Sequence, residues 1–236
     1  MSHRRSLVLG LLVSLAALVV SVAGCTSGGS SDSGSLPAAA TLLHNSGASM
    51  RSVTSVHFGI AVNGTLSGVP IQNADGDLNK QGQAKGNAKI SELGQLLQVD
   101  FVLVDKDFYI KGPTGGYQKI PASLAGNLFD PSAILDPDRG VAKVITSVQG
   151  AQTTAKETVN GTDCYKITGK VTKNVVAALI PGIASDVTAT VWVAADAKNL
   201  PVKAEFAVPG TDGSQGATVD VTISNVNAPV TVTAPA

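Results

Sequence analysis

From residue 55 onward, apolar side chains recur at every second position along most of the chain. Val56, Phe58, Ile60 and Val62 alternate with His57, Gly59, Ala61 and Asn63, which is the period of a half-buried strand. The Gly68-Val69-Pro70 turn leads to a second strand expected at 71–79. Residues 82–90 keep the period of two, with Gly82, Ala84, Gly86, Ala88 and Ile90 on one face and Gln83, Lys85, Asn87 and Lys89 on the other. Residues 97–104 put Val99, Phe101 and Leu103 together. Short turns at 105–107 and 112–116 separate them from Phe108-Tyr109-Ile110 and from 117–120. Asn160-Gly161, a strong hairpin signal, joins strands expected at 151–159 and 162–171. Three further alternating runs follow, marked by Val187/Ala189/Val191/Val193, Val202/Ala204/Phe206/Val208 and Ala217/Val219/Val221/Ile223.

Helical spacing interrupts this series in four places. Residues 38–52 carry Leu42, Leu43 and Met50. Asp130-Pro131 and Asp136-Pro137 each set a capping residue before a proline, which predicts helices at 131–135 and 137–149, the second with Val141, Val144, Ile145 and Val148 on one stripe. Thr172 opens a short helix at 173–180 that Pro181-Gly182 stops. About ten antiparallel strands with one apolar face, plus helices needing somewhere to lay their stripes, predict an α+β fold. Its expected form is a single curved antiparallel β-sheet with the helices on its concave face.

The N-terminus reads differently. Arg4 and Arg5 precede an apolar run from Leu7 to Val20, followed by Val22-Ala23-Gly24-Cys25. This is the order of a bacterial lipoprotein export signal, cut before Cys25 so that the thiol carries a diacylglycerol. The run is short for a membrane span, which needs about 20 apolar residues. Two acyl chains suffice for stable anchoring where one is marginal. The expected organisation is a signal peptide at 1–24, a lipidated Cys25 with a Gly/Ser linker at 25–37, a domain at 38–228 and a loose tail at 229–236. The mature domain would be held on the extracytoplasmic face of the cell membrane, away from cytosolic nucleotides.

Loss of the signal leaves 15 basic against 17 acidic residues, a balance of −2 with no basic stripe, so nucleic acid is not an expected partner. With Cys25 used by the lipid, Cys164 has no partner for a disulfide. No G-x-S-x-G, phosphate-binding loop, dinucleotide fingerprint or paired His/Cys metal spacing occurs, so no catalytic residue, metal site or cofactor is expected. His44 and His57 read as structural or solvent-facing. The aspartates at 105/107 and 136/138, with Asp196 and Asp212, read as turn or cap residues. Trp192 reads as a buried or rim aromatic, with ligand contact as the alternative.

Shape remains. The apolar face of 82–90 has side chains of one carbon or none until Ile90. Two readings fit it: a helix packed closely on those small residues, or an apolar cavity between sheet and helices. The second would be lined by Ala84, Gly86, Ala88, Ile90, Val99, Phe101, Val141, Val144 and Ile145. Exposing two long acyl chains to water costs on the order of 20 kcal/mol, which gives such a shelter a purpose.

Taken together, the lipobox 22–25, Ser55-Val56-His57, Gly86-Asn87-Ala88-Lys89, Asp100-Phe101-Val102, Phe129-Asp130-Pro131-Ser132-Ala133-Ile134-Leu135-Asp136-Pro137-Asp138-Arg139-Gly140, Asn160-Gly161, Ile167-Thr168-Gly169-Lys170-Val171 and Thr190-Val191-Trp192 resemble the mycobacterial LppX/LprA/LprF/LprG lipoproteins. In overall wording the chain looks most like the LprF branch. It departs at Asn225-Val226-Asn227, where family members often carry a tryptophan-glycine pair. The resemblance implies a half-barrel similar to LolA and LolB. It also implies a hydrophobic cavity for acylated lipids, glycolipids or lipoglycans, non-enzymatic transfer of them across the cell envelope, and a membrane exporter as a further partner. The competing expectation is a tethered sensory or interaction accessory that carries nothing.

Overall fold

The computed structural model describes residues 35–66, 69–92, 94–121, 130–210 and 216–235. The signal, Cys25, Gly68, Phe129 and Asp212 lie outside them. Eleven antiparallel strands form one open sheet: β1 (Ser55–Asn63), β2 (Ile71–Asn79), β3 (Ala84–Glu92), β4 (Gln95–Val104), β5 (Asp107–Lys111), β6 (Gln118–Pro121), β7 (Gln149–Val159), β8 (Thr162–Val171), β9 (Val187–Ala194), β10 (Pro201–Val208) and β11 (Ala217–Ser224). Their order is β6-β5-β4-β3-β2-β1-β11-β10-β9-β8-β7. Two meanders therefore meet at the centre, where β1 pairs with β11 from His57–Ser224 to Asn63–Thr218.

The period of two does what the alternation predicts. Phe58, Gly76, Gly86 and Phe101 form one cross-strand row on the inner face. Ile167, Val191, Ala204, Val221 and Ile60 form a second row across the other side. Phe58, Leu78, Ile167, Val191 and Val219 are fully enclosed, and this face belongs to one continuous apolar core. Asn160 and Gly161 both take positive φ, 49° and 79°, which is the mirror-image turn that suits a tight hairpin.

Helices cover the inner face. Helix α1 (Ala39–Arg51) buries Leu42, Leu43, Ser46 and Met50. A 3-10 turn, Pro131–Leu135, is capped by Asp130, whose side chain accepts the Ser132 N–H at 3.0 Å. Helix α2 is Val141–Thr146 and helix α3 is Lys173–Val176.

Both of the last two are shorter than their stripes predict. The Asp136 carboxylate accepts the N–H groups of Asp138 and Arg139 at 2.9 and 3.2 Å, which makes 136–139 a turn rather than a first helical turn. Gly140 then caps α2, and β7 begins at Gln149. After Val176 the chain continues to Ile180 as turns.

The tail is a correction of a different kind. Residues 228–235 hold no strand or helix, yet they are not loose: Val232 is buried against Val102 and Val104 on the outer face, beside Tyr109 and Tyr117. The Lys85 ammonium donates to the Thr231 carbonyl at 3.1 Å, and the Ser55 hydroxyl donates to the Ala228 carbonyl at 2.5 Å. This strap explains why Phe101 to Val104 of β4 are buried on both alternate faces.

Candidate functional site

The candidate site is the space between the helices and the inner face of the sheet. Helices α1 and α2 cross on small side chains. A Cβ at Gly47 would collide with the Thr146 methyl and lie 3.5 Å from the Ala142 carbonyl, so the two helices touch through a glycine. The outer side of α1 is fixed to the β9–β10 turn, where Ser49 donates to the Lys198 carbonyl at 2.6 Å and Asn45 donates to Asn199 at 3.3 Å. Its C-terminal end is fixed through Asn227, whose side-chain oxygen accepts from the Thr54 N–H at 2.8 Å and the Thr54 hydroxyl at 3.0 Å.

The approach to α2 is clasped by charge. Arg139 pairs with Asp136 at 2.9 Å and with Asp130 at 3.0 Å, so one guanidinium joins the two capping aspartates. Burial opposes ionisation of Asp136, but the Arg139 hydrogen bond and two backbone N–H groups outweigh it and hold the carboxyl below its ordinary value. Asp136 raises the Arg139 value in turn, through the same hydrogen bond. Gly140 sits against three carbonyls: a Cβ would lie 2.5 Å from those of Asp136 and Ile134 and closer still to that of Ala133. The Asp-Pro…Asp-Pro-Asp-Arg-Gly segment is thus a clasp that sets α2 down on the sheet.

Under α2 lies an apolar pocket walled by Val141, Val144 and Ile145 on one side and by Val191, Ala204, Phe206 and Val221 on the other. Its free volume is about 10 Å3. That is room for one water molecule at most, against roughly 300–1,000 Å3 for ordinary ligand pockets. This pocket is therefore too small for an acyl chain in this conformation.

Three of the expected lining residues, Val141, Val144 and Ile145, meet at this pocket. The other six lie on the same inner face but away from it. Ala84 and Ala88 are buried, Gly86 faces Phe101, and Ala88 faces Val99. Ile90, half-buried, packs against the same core. The space over Gly86 is taken: its Cβ would lie 2.9 Å from the Phe101 ring and 2.7 Å from the Gly76 backbone. Phe101 stacks on Phe108 with ring centroids 5.9 Å apart. On this wing, then, the small residues are packed upon. The β9–β11 wall of the pocket was readable as core-facing from its alternation, but nothing in it indicated which part α2 would cover.

The remaining candidates face elsewhere. Trp192 is buried on the outer face, with Lys166 and Lys203 5.2 and 5.0 Å from its ring centre, and its indole N–H donates to Glu157. His57 pairs with Asp77 at 2.8 Å, and His44 is exposed. Cys164 is buried; burial pushes its thiol up, and Sγ donates to the Thr162 carbonyl at 3.3 Å. A polar hollow of about 420 Å3 lies over Gly59 and Ala61 on the outer face, rimmed by Asn73, Asp75, Asn87 and Gln98. Among the described residues no cluster of three or more His, Cys, Asp or Glu side chains could hold a metal, and no helix is long and apolar enough to cross a membrane.

A family model described as LppX_LprAFG lipoprotein matches residues 38–232. The chain belongs to this lipoprotein family. Among its relatives, the lipoarabinomannan carrier protein LprG of Mycobacterium leprae is 31% identical, across 99% of this chain and 96% of that one. The crystal structure of LprF from Mycobacterium bovis superposes with a TM-score of 0.73 at 29% identity, covering 84% of this chain and 97% of that one. LppX from Mycobacterium tuberculosis, at 24% identity and a TM-score of 0.63 over 83% and 98% of the two chains, shares the fold. Identities this close to LprG and LprF do not separate the branches of the family.

Proposed function

We propose that the protein is a membrane-tethered, non-enzymatic carrier that takes acylated lipids or lipoglycans between α2 and the β9–β11 wall and moves them across the cell envelope. The observation that carries this reading is the continuous apolar inner face of the open sheet, roofed by short helices that rest on one another. The family and the carrier name of its LprG relatives supply the ligand class. The tether would be a diacylated Cys25 on the extracytoplasmic face of the membrane, with a membrane exporter as the source or recipient of cargo. In this reading the closed pocket is the unloaded state. Loading lifts the α1–α2 pair as one body, because Gly47 seats the two helices together. Ala84, Gly86, Ala88, Ile90, Val99 and Phe101 would then line the far end of the opened space.

Native mass spectrometry of the full chain carrying Cys25→Ser tests it. The expected result is a co-purifying acylated mass, or uptake of one after incubation with phosphatidylglycerol. A chain that neither retains nor takes up lipid counts against a carrier. It would turn attention to the second reading, an accessory that contacts a membrane protein, which the small volume of the pocket under α2 favours. Crosslinking to a single envelope partner would then be expected.

A further inference from the structure

Four polar side chains are buried among the described residues: Ser46, Ser55, Asn79 and Asn199. Three are satisfied. Ser55 donates to the Ala228 carbonyl, Asn79 donates to Gln83 and accepts from two N–H groups, and Asn199 donates to the carbonyls of Ala194 and Asp196. Ser46 is different. It has no exposed surface, and its hydroxyl has no hydrogen-bond partner. It lies on the core-facing stripe of α1 with Leu42, Leu43 and Met50, between the side that holds Asn199 and Lys198 and the side that holds α2. An unpaired hydroxyl in an apolar interior is destabilising, so the closed state keeps a donor it does not use.

We propose that the Ser46 hydroxyl is the polar contact for the cargo, donating to the ester carbonyl of an acyl chain when the helices lift from the sheet. This rests on the carrier reading and narrows it to ester-linked acyl lipids, with the acyl ester held beneath α1 while the chains run along the inner face. Alkyl chains alone would satisfy Leu42, Leu43 and Met50. Only an acceptor at the head of the chain satisfies Ser46.

The test uses two probes with identical C16 chains, dipalmitoyl phosphatidylglycerol and its ether-linked dihexadecyl analogue. Each displaces a fluorescent fatty acid from the full chain, from S46A and from S46C, which keeps the volume but is a poor donor. Wild type should prefer the diester by about tenfold, the value of one net hydrogen bond of about 1.4 kcal/mol. S46A and S46C should lose that preference while binding the diether as wild type does. The melting temperature of unloaded S46A should be equal or higher, because the unpaired hydroxyl is gone. Equal wild-type affinity for both probes overturns the proposal and leaves the carrier standing. So does an equal loss of both in S46A. Failure of wild type to bind either probe overturns both.

Discussion

On one wing of the sheet Gly76 and Gly86 lie opposite each other with their backbones close together, and the ring of Phe101 covers Gly86. On the other wing Val191, Ala204 and Val221 lie opposite one another, and the interior above them keeps a pocket. Among the described residues, the wing with the smaller side chains is the one packed over. Glycine lets the neighbouring backbones close up and a flat ring settle, and the Phe101–Phe108 stack then spans the gap. β-Branched valines are stiff at χ1 and stop short, and a helix of only six residues does not reach into every recess they leave. The small residues here are covered by an aromatic ring, and the branched ones border the space that remains.

Substitutions can reverse that contrast. Phe101→Ala should have the largest effect, about 3–5 kcal/mol lost in urea unfolding, with lipid-probe uptake rising as the packed wing gains a cavity. Gly86→Ala adds one methyl where there is no room and should cost about 2–3 kcal/mol without changing uptake by the folded fraction. Ala204→Phe puts a ring into the pocket. Because the ring exceeds the free volume, it should cost about 2–3 kcal/mol and cut lipid-probe uptake by the folded fraction at least tenfold; equal uptake would mean that cargo binds elsewhere. Arg139→Ala, on the clasp, should be the mildest, at about 1 kcal/mol. Its signature is in pH. The Asp136 carboxyl titrates below its ordinary value, so its contribution is complete above the usual carboxylate range near pH 4 and fades as pH falls through the lower folded value. In Arg139→Ala that acid limb of the stability curve should shrink.

Alternation made the inner and outer faces legible for β1, β3, β4, β9, β10 and β11, and Gly86 does share its face with Phe101 as the periods predict. Local rules failed where a non-local or side-chain contact decided the outcome. Residues 137–140 follow a cap-and-proline signal, but the Asp136 side chain bonds its own backbone and delays α2 to Val141. Val232 carries no periodic signal because its partners, Val102 and Val104, belong to a distant strand. That Val141, Val144 and Ile145 share one stripe was legible from helical spacing. What lies opposite them was not, because a period of two says which way a valine points and nothing about what passes over it. Ser46 reads from sequence as an ordinary helix serine, and only its enclosure sets it apart.

β6 and β7 follow each other in the chain yet form the two extreme edges of the sheet. The connection between them carries α2, so this one short helix lies on the link that joins the two meanders at their far edges, while β1 and β11 join them at the centre.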